Sequence, residues 1–158
     1  MQQKPSDNAV GAWVQLVRSG QTILARVEAD LKDQGFPPLE WYDVLFELDK
    51  SPDGRLPQAQ VQSNVLLAQY NLCRLIDRLE REELVKRQPS PDDGRSNHLV
   101  ITEKGRTLRR EMWPAYAVAI QAHLGSRLSC EEAVTVLPAA SVAVSTTLWH
   151  CAKGLKGS

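Results

Sequence analysis

From Asn8 to Gln34 the apolar residues Val10, Trp13, Val14, Val17, Leu24, Val27 and Leu31 recur at helical spacing. That pattern predicts a long amphipathic helix, ended by Gly35-Phe36-Pro37-Pro38. Trp41, Val44, Leu45 and Leu48 share one face of a second helix, which stops at the turn-forming Ser51-Pro52-Asp53-Gly54. Arg55-Leu56 is too short to assign from its pattern. Gln58 to Asn64 predicts a short polar helix, and a further helix follows from about Gln69 to Glu82. Leu72, Leu75, Ile76 and Leu79 form its apolar stripe, which leaves Tyr70, Arg74, Asp77 and Arg81 on the opposite face.

Two strands, Leu84–Gln88 and His98–Thr102, flank the hairpin tip Ser90-Pro91-Asp92-Asp93-Gly94. Thr102-Glu103 then opens a long helix with Leu108, Met112, Tyr116, Ala119 and Leu124 on its apolar face and a kink expected at Pro114. Ser129 and Glu132 make a capping box for a last helix, whose body from Ala133 to Trp149 is apolar nearly all round and interrupted at Pro138. A helix with so few charges needs burial, and a chain of this size has limited interior. The expected cover is a second copy.

This order of elements predicts a mostly α fold with a small β-hairpin wing, a winged helix-turn-helix flanked by N- and C-terminal dimerisation helices. The whole chain, 1–158, reads as a single domain, with a winged lobe at 38–106 and dimerisation helices at 8–34 and 107–152. Taken alone, residues 58–83 also fit one continuous amphipathic helix, since no Gly or Pro breaks them. The succession of helix, Pro-Asp-Gly turn, hairpin and helix argues against that.

At 158 residues and 42% hydrophobic, the chain can bury one sizeable core. Its formal charge is zero, but unevenly spread: residues 68–111 carry ten Lys/Arg against eight Asp/Glu, whereas residues 1–67 carry six against nine. The basic bias falls on the segment expected to meet phosphates. Three scattered cysteines, Cys73, Cys130 and Cys151, make no disulfide framework. Cys73 reads as a small filler residue rather than a redox group. No secretory pattern opens the chain and no apolar run approaches the ~18 residues of a membrane span, so a cytoplasmic protein with no membrane partner is expected. His98, His123, Cys130, His150 and Cys151 show no recurring ligand spacing, and no catalytic set or phosphate loop stands out. Neither a metal, a cofactor nor an enzymatic activity is expected.

Two motifs now become informative together. One runs from Leu56-Pro57-Gln58 through Arg74-Leu75-Ile76-Asp77-Arg78-Leu79-Glu80 to Leu84-Val85-Lys86-Arg87. The other is Asp93-Gly94-Arg95 followed by Thr102-Glu103-Lys104-Gly105. The chain resembles the MarR family of multiple-antibiotic-resistance regulators over essentially its whole length, the second motif matching that family's D-x-R and T-E-x-G. The resemblance implies a homodimer that binds palindromic double-stranded DNA, usually as a repressor released by a small ligand or by oxidation.

On that reading Gln69, Tyr70, Asn71 and Arg74 sit at the end of the recognition helix that reaches base edges. Arg78, Arg81, Lys86 and Arg87 are assigned to phosphates. Arg95 is assigned to the minor groove, with Asp93 orienting its guanidinium. Trp13, Arg18, Trp41 and Tyr42 are candidates for an effector pocket, aromatic acids being frequent ligands in the family; the same aromatics also suit plain core positions. Two departures stand out. The turn Val65-Leu66-Leu67-Ala68 lacks the usual Gly and Ser or Thr cap, a loss of roughly 1 kcal/mol, and Glu83 replaces the Gly that commonly ends the helix. The uncapped turn motivates an alternative, a winged-helix interaction adaptor or anti-regulator that does not bind DNA.

Overall fold

A computed structural model describes residues 4–65, 71–90 and 97–128. Along them run α1 (Asp7–Asp33), α2 (Leu39–Lys50), β1 (Arg55–Pro57), α3 (Gln58–Asn64), α4 (Leu72–Arg81), β2 (Val85–Pro89), β3 (Asn97–Ile101) and α5 (Glu103–His123). The three strands form one antiparallel sheet in the order β1-β3-β2, with Leu56 opposite Leu99 on one side of β3 and Arg87 opposite it on the other. This is the expected mostly helical winged fold, and β1, too short to assign by pattern, supplies its third strand. Contacts divide the chain into Met1–His123 and Leu124–Ser158; the described part of the second unit holds only a 3-10 turn, Gly125–Arg127. The expected last helix lies outside the described residues.

Two apolar cores meet on α2. Val44, Leu45 and Leu48 join Val61, Leu75, Ile76, Leu79, Val85 and Leu99 in the winged lobe. Leu39 and Tyr42 pack instead with Val27 and Leu31 of α1 and Met112, Ala115 and Ala119 of α5. Between the cores, Asp49 at the end of α2 pairs with Arg106 and with Arg109 of α5, the latter at 2.6 Å. Extended backbone at Val65 (φ −68°, ψ 139°) closes α3. One continuous helix over 58–83 is therefore excluded.

Chain exits from the helices explain the strand limits. At the end of α1 the Phe36 N–H donates to Leu31 O (3.0 Å) and the Gly35 N–H to Lys32 O (2.9 Å), with Gly35 at φ +80°. This is a Schellman motif, and Phe36 packs on the same core as Leu31. The same motif ends α4: Leu84 N–H to Leu79 O and Glu83 N–H to Glu80 O, both 2.9 Å, with Glu83 at φ +60°. Leu84 is thus part of the helix stop, so β2 begins one residue later than expected, at Val85. Thr102 becomes the cap of α5, accepting the Gly105 N–H at 3.0 Å, and β3 ends at Ile101.

Glu83 holds a left-handed conformation that costs a non-glycine residue about 1–2 kcal/mol. Its side chain is 82% exposed and lies 3.9 Å from Lys104, an ion pair too exposed to offset that cost. Glu83→Gly is expected to stabilise the protein by about 1 kcal/mol after glycine's own entropy is counted. A chemical-denaturation midpoint that falls instead would show that the positive φ is not strained.

Candidate nucleic-acid interface

The recognition helix α4 presents its two faces as its sequence requires. Leu72, Leu75, Ile76 and Leu79 are buried, while Asn71, Arg74, Asp77, Arg78 and Arg81 are exposed on the remainder. The described helix starts at Leu72 rather than near Gln69. Asn71 is its N-cap, with a non-helical backbone (φ −134°) whose carbonyl accepts the Leu75 N–H at 2.9 Å, and no side-chain cap bond forms. Gln69 and Tyr70 lie outside the described residues, as do Asp93 and Arg95. Cys73 is exposed and receives a 3.6 Å contact from Gln58 Nε2, so it fills no core space. It sits about 100° round the helix from Leu72, off the apolar stripe.

Lys86 is exposed on β2, but Arg87 beside it turns to α4. Its guanidinium donates to Asp77 Oδ1 at 2.5 Å and to Glu80 Oε2, and its backbone N–H donates to Glu80 Oε1 at 3.1 Å. Partial burial opposes the charge of Arg87, yet the bonds to Asp77 and Glu80 outweigh it and raise the pKa above the ordinary arginine value. A cation assigned from sequence to phosphate is thus engaged by two carboxylates of its own chain. Their positions, seven and ten residues earlier, carry no sequence pattern that pairs them with it.

The wing and recognition helix are joined to α5 at one tight crossing. The Thr102 hydroxyl lies 2.7 Å from Glu83 O and 3.0 Å from Leu84 O, and Lys104 Nζ donates to Glu82 O at 2.8 Å. These groups satisfy carbonyls at the exit of α4 while capping the start of α5. Gly105 lets the backbones approach: a Cβ built there would lie 2.3 Å from Leu84 O.

The proposed effector residues are dispersed. Trp13 is 65% exposed, and Arg18 is also exposed on α1. Tyr42 is buried among the rings of Phe46, Trp113 and Tyr116. Trp41, one residue away, packs against the other core and lines an open groove of about 440 Å³ with Phe36, Pro37, Leu84 and Leu108. Of the histidines, His123 Nε2 lies 2.8 Å from Asp30 Oδ2 and His98 is on β3. Among the described residues no three His, Cys, Asp or Glu side chains gather as metal ligands, and no helix is long and apolar enough to cross a membrane.

Comparison with known proteins agrees with this geometry. Residues 34–96, from just after α1 to just before β3, match the family model described as MarR family. Over that stretch the chain is similar to the MarR family. It is 29% identical over 127 residues to the HTH-type transcriptional regulator MhqR of Bacillus subtilis, covering 80% of this chain and 85% of that one. Among solved structures it resembles Sco3205 of Streptomyces coelicolor, a MarR family transcriptional regulator in complex with DNA (TM-score 0.80, 20% identity, 100% of this chain and 94% of that one). It also resembles BpsR of Bordetella bronchiseptica, whose DNA binding is regulated by 6-hydroxynicotinic acid (TM-score 0.69, 20% identity, 99% and 100% of the two chains).

Proposed function

We propose that this protein is a member of the MarR family and a sequence-specific DNA-binding transcriptional regulator, acting as a homodimeric repressor on a palindromic operator. The observation that carries the reading is the exposed face of α4. Asn71, Arg74, Arg78 and Arg81 stand outward from a fully buried stripe, beside the paired strands β2 and β3 of the same lobe. A helix so presented enters the major groove with its first turns on base edges and its later cations near phosphate. Asn71 and Arg74 are the base readers, and Arg78, Arg81 and Lys86 the phosphate contacts. Asp93-Gly94-Arg95 is assigned to the minor groove by the family's wing motif.

Dimerisation is supported by α1. The lower part of its apolar stripe, Leu24, Val27 and Leu31, packs within the chain. The upper part, Val10, Trp13, Val14 and Val17, is 36–65% exposed. A half-helix with such a stripe and no cover among the described residues is marginal alone and suits a second copy. Release by a small ligand is supported by the BpsR likeness and by the groove beside Trp41, which Glu82 and Leu84 at the exit of α4 also line. A ligand there lowers operator affinity only by its preference for the dimer with misplaced helices.

Fluorescence-polarisation titration against the region upstream of its own gene tests the reading. Affinity is expected to fall steeply with salt, and Arg74→Ala to weaken operator binding by about 1–3 kcal/mol while relaxing preference at one base pair. No binding at any ionic strength would favour an adaptor that works through proteins instead.

A further inference from the structure

We infer that Arg87 is a positioning residue rather than a DNA contact: its positive charge offsets part of the negative charge of Asp77 and Glu80, which would otherwise repel phosphate from the recognition helix, and it locks that helix to β2 of the wing. The inference rests on the DNA-binding reading and refines it. Asp77 and Glu80 lie on α4 between the cations Arg74, Arg78 and Arg81, so two negative charges interrupt the surface that meets the backbone. Arg87 reaches them from β2 with one guanidinium nitrogen on each carboxylate, and its own N–H closes a third bond to Glu80. Its side chain is only 26% exposed, against 55% for Asp77, so the fork is turned inward and its two outer nitrogens are engaged.

The planar fork suits this task. A lysine carries a single ammonium and cannot hold two carboxylates in one fixed orientation. Because Arg87 sits on the strand that leads to the hairpin tip, the same bonds set the tip's strand against α4. The two elements expected to enter adjacent grooves then move as one body. Lys86, exposed on the neighbouring position, is left as the phosphate contact of this strand.

The test uses the full chain and a duplex enriched from random sequence by the wild-type protein, titrated over a range of salt, with thermal unfolding followed for each variant. Arg87→Gln is expected to bind at least about tenfold more weakly, because two uncompensated carboxylates then face the phosphates, and Arg87→Lys to recover part of that loss. The triple variant Asp77→Asn, Glu80→Gln, Arg87→Gln is expected to return to within about threefold of wild type with the wild-type salt slope, since no phosphate contact has been removed. The inference is overturned if Arg87→Gln binds as well as wild type. It is equally overturned if the triple variant stays weak with a slope shallower by about 0.9, the mark of one lost phosphate contact. A wild-type chain that enriches no duplex overturns the DNA-binding reading itself, before any variant is compared.

Discussion

Gly105→Ala is expected to destabilise the folded chain by about 3 kcal/mol, lowering the thermal midpoint by roughly 10 °C. In an open helix the same change would gain close to 1 kcal/mol. Here the added carbon would lie 2.3 Å from Leu84 O, 2.9 Å from Ile101 Cγ1 and 3.1 Å from Leu45 Cδ2. The first of these is backbone and cannot swing aside. Leu84 O is also held by the Thr102 N–H at 3.0 Å, and the Leu84 N–H is committed to the stop of α4. Relief therefore requires α5 to move away from the lobe, breaking the Thr102 and Lys104 contacts together. A stability typical of domains, about 5–15 kcal/mol, leaves little margin for that. Circular-dichroism melts of the two proteins check it, and an unchanged midpoint would mean that the crossing is looser than its geometry.

Trp13→Glu combined with Val17→Glu is expected to convert the protein to monomers and to lower operator affinity by at least about a hundredfold. Both residues are exposed, at 65% and 36%, and neither belongs to the two cores among the described residues. In a dimer they would place four carboxylates in an apolar interface, a desolvation cost that nothing nearby offsets. Half-site binding without a linked partner then forfeits the effective concentration that the second recognition helix otherwise enjoys. Light scattering with size-exclusion chromatography reads the mass, and polarisation titration reads the affinity. A double variant that still elutes as a dimer would move the interface away from α1.

Several elements were legible because their determinants are local. The α4 stripe repeats at three and four residues, and all four of its members are buried. The stops at Gly35 and Gly54 follow from backbone angles that glycine accepts, φ +80° and +64°. The departure at Glu83 was visible, but its outcome was not. The residue adopts glycine's conformation anyway, because Leu79 and Leu84 are drawn into one core and the chain must turn between them. The candidate interface divides in the same way. Arg74, Asp77 and Arg81 could be placed outward by angle alone. Arg87 could not be separated from Lys86, since its partners depend on where β2 lies against α4.

From the sequence alone came the element order, the buried faces, the wing hairpin and the family likeness, all of which depend on periodicity, turn chemistry and motif spacing within short windows. Only the tertiary structure decided which half of the α1 stripe is covered among the described residues, that Arg87 is held internally, why Gly105 admits no side chain, and which of Trp41 and Tyr42 serves which core. Those properties are set by groups brought together from different elements. Their distances depend on packing, and packing is a property of the assembled chain rather than of any window along it.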